Sequence, residues 1–140
     1  MTETSRWDAI VSGEAPIPAH DELGFVVEPV DDPKEGISMS WTVPEALCNS
    51  AGNLQGGVLA AFADSLLGGA TSAHLTTSEY PALAEMKISI FRPAPANSKL
   101  TGTGRVLKRG RRVLFAEAEV FGADGKLIAK ASGTEIPTSL

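Results

Sequence analysis

The chain has 140 residues, 43% of them apolar and 21% charged, with one cysteine (Cys48), two histidines (His20 and His74) and a formal charge of −5. That length suits a single domain, and the balance of apolar to charged residues excludes wholesale disorder. One thiol permits neither an intramolecular disulfide nor a cysteine-based zinc site, two histidines so far apart make no metal centre, and net acidity argues against general nucleic-acid affinity.

The N-terminus, MTETSRWDAI, opens with acid and hydroxyl residues rather than a basic start and an apolar block, so it does not read as a secretory signal. Trp7, Ile10 and Val11 recur at helical spacing between Thr4 and Gly13, predicting a short leading helix that Pro16 and Pro18 stop. Residues 1–20 thus form a helical extension leading into the domain. Gly24–Pro29 and Gly36–Thr42 predict two strands, separated by the turn residues Asp31, Asp32 and Pro33. In the second, Ile37, Met39 and Trp41 alternate with polar neighbours. Ala46–Asn53 reads as a loop.

Then comes the one long helical segment, GGVLAAFADSLLGGATSAHL. Val58, Leu59, Phe62, Leu66 and Ala70 fill one stripe of it. Its apolar run is interrupted by Asp64 and falls short of the ~20 residues needed to span a bilayer. Each of Gly68 and Gly69 weakens an isolated helix by ~1 kcal/mol relative to alanine, so glycines there predict close approach of another backbone. After Pro81 the period switches to two. Strands are expected around Ile88 and Ile90, at Lys99–Lys108, at Arg112–Phe121 and at Lys126–Ile136, the last three joined by short turns into an antiparallel meander. One long helix with six mostly antiparallel strands is an α+β domain, in which a curved sheet covers the helix. The outer face of such a sheet needs burial too, which points to an oligomer. A soluble, cytoplasmic protein without membrane contact is expected.

Charge is unevenly distributed. Nine acids and two bases lie between Met1 and Ser40, whereas Met86–Arg112 holds eight bases and no acid. Such a basic stretch is either a solvated strand face or a confined site for a small polyanion such as a phosphorylated cofactor. The overall acidity favours that confined site over a nucleic-acid groove.

Asp64 stands out among the residues able to do chemistry. Most mid-helix acids face solvent, cap a loop or pair with a base, but an unpaired carboxylate in apolar surroundings is expensive and marks a candidate site. Gly56 and Gly57 open the same helix, where unbonded N–H groups and the positive dipole end can polarise a carbonyl. Along one helix Gly56 and Asp64 are about 12 Å apart and differ by roughly 80° around the axis, so one reacting carbonyl cannot sit ~3 Å from both. If they cooperate, Asp64 of one subunit meets Gly56 of another, which requires an isologous dimer with the site at its interface. A Ser-His-Asp triad built from Ser65 or Ser72 and His74 lacks both reach and a nucleophile elbow. His74 reads as a satisfied helix-end histidine and Cys48 as a small core filler.

The stretch NSAGNLQGGVLAAFADSLLGG (Asn49–Gly69) resembles the helix motif of hotdog-fold acyl-CoA thioesterases of the PaaI-like, phenylacetate-pathway group. The likeness continues through LAEMKISIFRPAPA, GTGRVLKRGRRVLFAEAEVF and DGKLIAKASGTEIP. It implies the hotdog fold, dimers joined edge to edge and often paired into tetramers, and hydrolysis of an acyl-CoA thioester. Coenzyme A then enters as part of the substrate, with no separate cofactor and no metal. In that resemblance Asp64 is the nucleophile or general base, Gly56 supplies the polarising N–H, and Asn49 orients the water or reacting group. Gln55 stands where the family usually has histidine, and Leu83 where many members have serine or threonine at the start of the next strand. Glutamine can bond but cannot transfer protons at neutral pH. These two departures motivate a second reading, a non-catalytic acyl-CoA or acyl-ligand binder on the same fold. A hotdog hydratase or dehydratase fits less well, because that chemistry relies on histidine beside an acid. Arg92, Lys108, Arg109, Arg111 and Arg112 are the candidates for the cofactor phosphates, and Gly57 and Leu83 for the substrate contact.

Overall fold

Period-two runs dominate the second half of the chain. In the computed structural model, which describes residues 3–140, they become one six-stranded antiparallel sheet packed around a single long helix. In chain order the elements are α1 (Arg6–Ser12), α2 (Pro18–Leu23), β1 (Val26–Glu28), β2 (Ile37–Thr42), a 3₁₀ turn (Glu45–Leu47), α3 (Gly56–Ser72), β3 (Glu79–Ile90), β4 (Lys99–Arg109), β5 (Leu114–Phe121) and β6 (Leu127–Ser139). The strands lie side by side in the order β1-β2-β4-β5-β6-β3. The expected meander β4-β5-β6 is therefore present, and the expected α+β hotdog architecture is the one observed. β3, the first strand after the helix, lies at one edge and among the described residues is paired only with β6.

The core forms where the stripe of α3 meets the inward residues of the sheet. Leu59, Phe62, Leu66 and Leu67 are buried against Met39, Trp41, Leu100, Ala118 and Ala131. Full burial of a side chain such as Leu66 contributes about 1.5–3 kcal/mol. The close approach that makes this possible comes from the sheet rather than from Gly68 and Gly69. A Cβ on Gly104 would stand 2.9 Å from the Leu66 carbonyl carbon, and one on Gly102 3.0 Å from the Phe62 ring. Gly69 instead makes room for side chains, since a Cβ there would lie 2.9 Å from the Trp7 ring and 3.3 Å from Ile37 Cδ1.

That contact docks α1 on α3. The leading segment belongs to the domain core, with Trp7 only 2% exposed; residues 1 and 2 of the expected extension lie outside the described residues. Ser5 and Asp8 cap α1 reciprocally, and Gly13 ends it in the left-handed region at φ 86°. Pro18 does not stop a helix but starts one, occupying the first turn of α2, where a missing N–H costs nothing. Trp41 Nε1 donates to the Leu23 carbonyl at 2.6 Å and fastens the end of α2 to β2. Several boundaries differ from those expected: β1 is only three residues long, α3 ends at Ser72, and β3 begins at Glu79, before Pro81. β3 tolerates Pro81 because an outer strand needs fewer ladder bonds, and Pro81 faces another proline, Pro137.

Candidate functional site

Asp64 sits on the flank of α3 turned away from the packed stripe and stays open to solvent. It borders a cavity of about 240 Å³ enclosed by α1, α2, α3 and the beginning of β3, whose walls include Trp7, Ile10, His20, Gly68 and Tyr80. Those surroundings desolvate the carboxyl enough to raise its pKa above the ordinary aspartate value. His20 lines the same cavity, and burial holds its pKa below the usual histidine value. A neutral imidazole therefore shares the cavity with Asp64, although the sequence offered His20 no role.

Sequence reasoning also passed over Glu135. It lies on β6 opposite Leu83 of β3 and Leu114 of β5, on the face that α3 covers, and is completely buried. Neither carboxylate oxygen has a hydrogen-bond partner among the described residues. Burial first, and the charge of Asp64 second, raise its pKa to about 7. Asp64 ionises first, next to a neutral Glu135, so the mutual repulsion is felt by the group that ionises second. The costly unpaired buried carboxyl suggested by the sequence thus exists at Glu135, with Asp64 as its more open neighbour. The signal was available: inward alternation through Ala129, Ala131 and Gly133 puts Glu135 inside as well.

At the other end of α3, Gln55 is the N-cap residue, but its side chain makes no capping bond. The N–H groups of Gly56 and Gly57 belong to the first turn, which has no intrahelical acceptors for them. A Cβ on Gly57 would meet nothing within 4 Å, so ligand atoms have room to approach this backbone. Asn49 Oδ1 accepts the N–H groups of Ala51 and Asn53, at 3.0 and 3.2 Å, and holds the loop leading into α3. Gly56 is close to the end of β3, a Cβ there falling 3.4 Å from Ile90 Cδ1; Gly68 is close to its beginning, 3.7 Å from Pro81 Cγ. β3 therefore runs opposite to α3.

The basic candidates divide into two groups. Arg109 donates to the His74 carbonyl at the C-terminal end of α3, and Arg111 and Arg112 follow it, exposed, in the turn between β4 and β5. Lys108 is exposed on the same strand end. Arg92 lies beyond β3 at the opposite end and pairs with Asp124 at 3.3 Å. One subunit does not bring it together with the other four. Arg105 bonds Glu117 across the strands, the solvated-face behaviour that the alternative reading of the basic stretch anticipated. His74 differs in part from the satisfied, charged helix-end residue expected: burial lowers its pKa, and although the Lys34 backbone bonds its ring, its Nε2 has no partner among the described residues. Cys48 is half-buried against the core. No described helix is long and apolar enough to cross a membrane.

The sequence pattern of the thioesterase superfamily matches residues 51–129, which includes α3 and the strands through most of the meander. Mouse acyl-coenzyme A thioesterase 13 is 29% identical over 122 residues, covering 85% of each chain. A phenylacetic acid degradation-related protein of Ralstonia eutropha is 32% identical and superposes with a TM-score of 0.85, over 94% of this chain and 98% of its own. The PaaI protein of the Escherichia coli phenylacetic acid degradation operon shares the fold at a TM-score of 0.82 and 20% identity, over 94% and 91% of the two chains. A family match over more than half of the residues, on a fold that carries Asp64 and the Gly-Gly helix start as described, leads to one conclusion: the chain belongs to the thioesterase superfamily and is a thioester hydrolase.

Proposed function

We propose that this enzyme hydrolyses an acyl-CoA thioester to the free acid and coenzyme A, at a site that two subunits build together. The observation that carries the proposal is the opposed course of α3 and β3, with Gly56 at the Ile90 end and Gly68 at the Pro81 end. β3 is one of the two edge strands and, among the described residues, has no strand on its outer side. Pairing it antiparallel with its own copy, by a two-fold axis, reverses one subunit against the other. The Ile90 end of one β3 then arrives beside the Pro81 end of the other. Gly56 of the partner subunit comes to the flank of α3 that bears Asp64, one turn before Gly68.

In this arrangement the Gly56 N–H, at the positive end of its helix, binds the thioester oxygen as negative charge develops there. Asp64 of the facing subunit either removes a proton from water or attacks the carbonyl carbon itself. In both routes the C–S bond breaks, coenzyme A leaves as its thiolate and takes up a proton, and water supplies the hydroxyl of the acid. Among the described residues the loop engages only Oδ1 of Asn49, which leaves Nδ2 to hold that water, and Gln55 adds a second amide. The acyl group fits the cavity bounded by α1, α2 and Tyr80. The exposed Arg111 and Arg112 of one subunit are available to the cofactor phosphates, whereas Arg109, and Arg92 of the other subunit, reach them by exchanging their bonds to the His74 carbonyl and to Asp124.

A free-thiol assay across aliphatic and aromatic acyl-CoAs tests this, with Asp64→Asn as the control. Loss of one oxyanion donor costs about 10²–10³ in rate, and loss of the Asp64 carboxylate is expected to cost at least as much on the best substrate. Wild-type rates in the Asp64→Asn variant would refute the mechanism. Tight acyl-CoA binding without turnover by the wild type would favour the binding-protein reading that Gln55 and Leu83 suggest.

A further inference from the structure

Hydrolysis needs one carboxylate at Asp64, yet the fold buries a second carboxyl on the sheet face beneath the helix that carries it. Glu135 is fully buried, both of its oxygens lack partners among the described residues, and its charged neighbour is Asp64. Its strand neighbours on the same face, Leu83 and Leu114, are apolar and offer no donor. Other ionisable groups around this end of the fold are occupied or lie elsewhere. Arg109 reaches the His74 carbonyl, Glu85 receives the Thr134 hydroxyl, and Arg6, His20 and Tyr80 line the cavity onto which Asp64, not the buried Glu135, opens.

An unpaired ion in such a place is unfavourable by several kcal/mol, and such groups shed their charge instead. Two neighbouring carboxyls in a poorly solvated region do not ionise together at the same pH, because the first charge opposes the second. Asp64, open to the cavity, is the one that solvent can stabilise. Glu135, sealed beneath α3, is the one that keeps its proton.

We propose that Glu135 is a positioning residue for Asp64: the two carboxyls hold one proton and one negative charge between them, with the proton on Glu135 and the charge on Asp64 in the working enzyme. The consequence concerns the oxyanion. While Glu135 is protonated, the site carries a single negative charge when the thioester oxygen acquires its own. Once Glu135 ionises, a second fixed charge opposes that development, and turnover falls. The pair thus gives hydrolysis an alkaline limb that a lone aspartate would not produce.

Two measurements decide this, and only one depends on the acyl-CoA reading above. Carboxyl carbon NMR titration of the intact protein reads the pair without any substrate. Glu135 should titrate near neutrality, far above the surface glutamates, and its midpoint should fall in Asp64→Asn because the opposing charge is gone. A Glu135 that titrates with the surface glutamates, or that ignores Asp64→Asn, overturns the proposal. The second measurement is kcat/KM against pH on the best acyl-CoA. In the wild type it should decline above neutrality, by as much as tenfold per pH unit, whereas Glu135→Gln should hold its plateau. The same decline in Glu135→Gln overturns the proposal, since a residue that only fills space would leave the profile unmoved. Absence of any acyl-CoA turnover would count against the hydrolase reading, while the titration still decides the pair.

Discussion

Replacing Glu135 by glutamine should change how stability depends on pH, and the size of the effect follows from the burial of the carboxyl. Its folded pKa is about 7, against an ordinary value of 4.5. Below pH 4.5 the folded and unfolded chains both hold the proton, and Glu135 imposes no penalty. Between 4.5 and about 7 the unfolded chain releases the proton while the folded chain retains it. The unfolded state then binds fewer protons, so the unfolding free energy decreases as pH rises. Above about pH 7 the loss is complete; at 1.36 kcal/mol per pH unit it amounts to about 3 kcal/mol. With an unfolding entropy near 2.1 cal/mol/K per residue, that is about 10 °C of melting temperature for a domain of this size. Thermal melts at pH 4.5 and pH 8, followed by circular dichroism at equal concentration, provide the test. The gap between wild type and Glu135→Gln should open by about 10 °C in favour of the variant on going to pH 8. All other titrating groups are common to both proteins and cancel. Melting curves that shift in parallel across the range would refute the burial argument.

The glycine at the helix–sheet contact offers a second perturbation. Gly104→Ala places a methyl against the Leu66 backbone, which cannot swing aside, so destabilisation near the upper end of the usual 1–3 kcal/mol for overpacking is expected by urea unfolding. Gly57→Ala meets nothing within 4 Å and should leave stability within ~0.5 kcal/mol or raise it slightly; equal losses in the two would contradict the packing account. Charge reversal at Arg111 or Arg112 should raise KM for acyl-CoA several-fold with little change in kcat, as expected for contacts that hold substrate and transition state alike. An unchanged KM in both variants would remove this turn from the cofactor site.

Periodicity made most of the fold legible. The stripe from Val58 to Ala70 and the alternation at Ile37–Trp41 and Leu100–Val106 are local properties of the chain, and each became the element it announced. What stayed hidden depends on long-range neighbours. That α3 presses on Gly102 and Gly104 is a tertiary fact that the local pattern of the strand does not carry. Pro18 looks the same in sequence whether it ends one helix or begins the next, and only the packing of α2 decides for the second. For the site, Asp64 and the Gly-Gly start were readable because an acid in an apolar helix and glycines at its beginning are unusual in themselves. Glu135 does not stand out, because one acid near the end of a strand looks like a solvent-facing residue until the alternation is carried through to it. His20 became interesting only when α2 folded against α3.

The two borders of the sheet are unequal: β3 presents twelve residues and β1 only three. A long border can zip against its twin, whereas a three-residue one, with so few free backbone groups, makes a poor template for a further chain. On the pairing proposed above, association through strands would be self-terminating: two molecules would consume the long margin of each, and the stubs left at the outer ends of the joint sheet would discourage open-ended growth into fibrils.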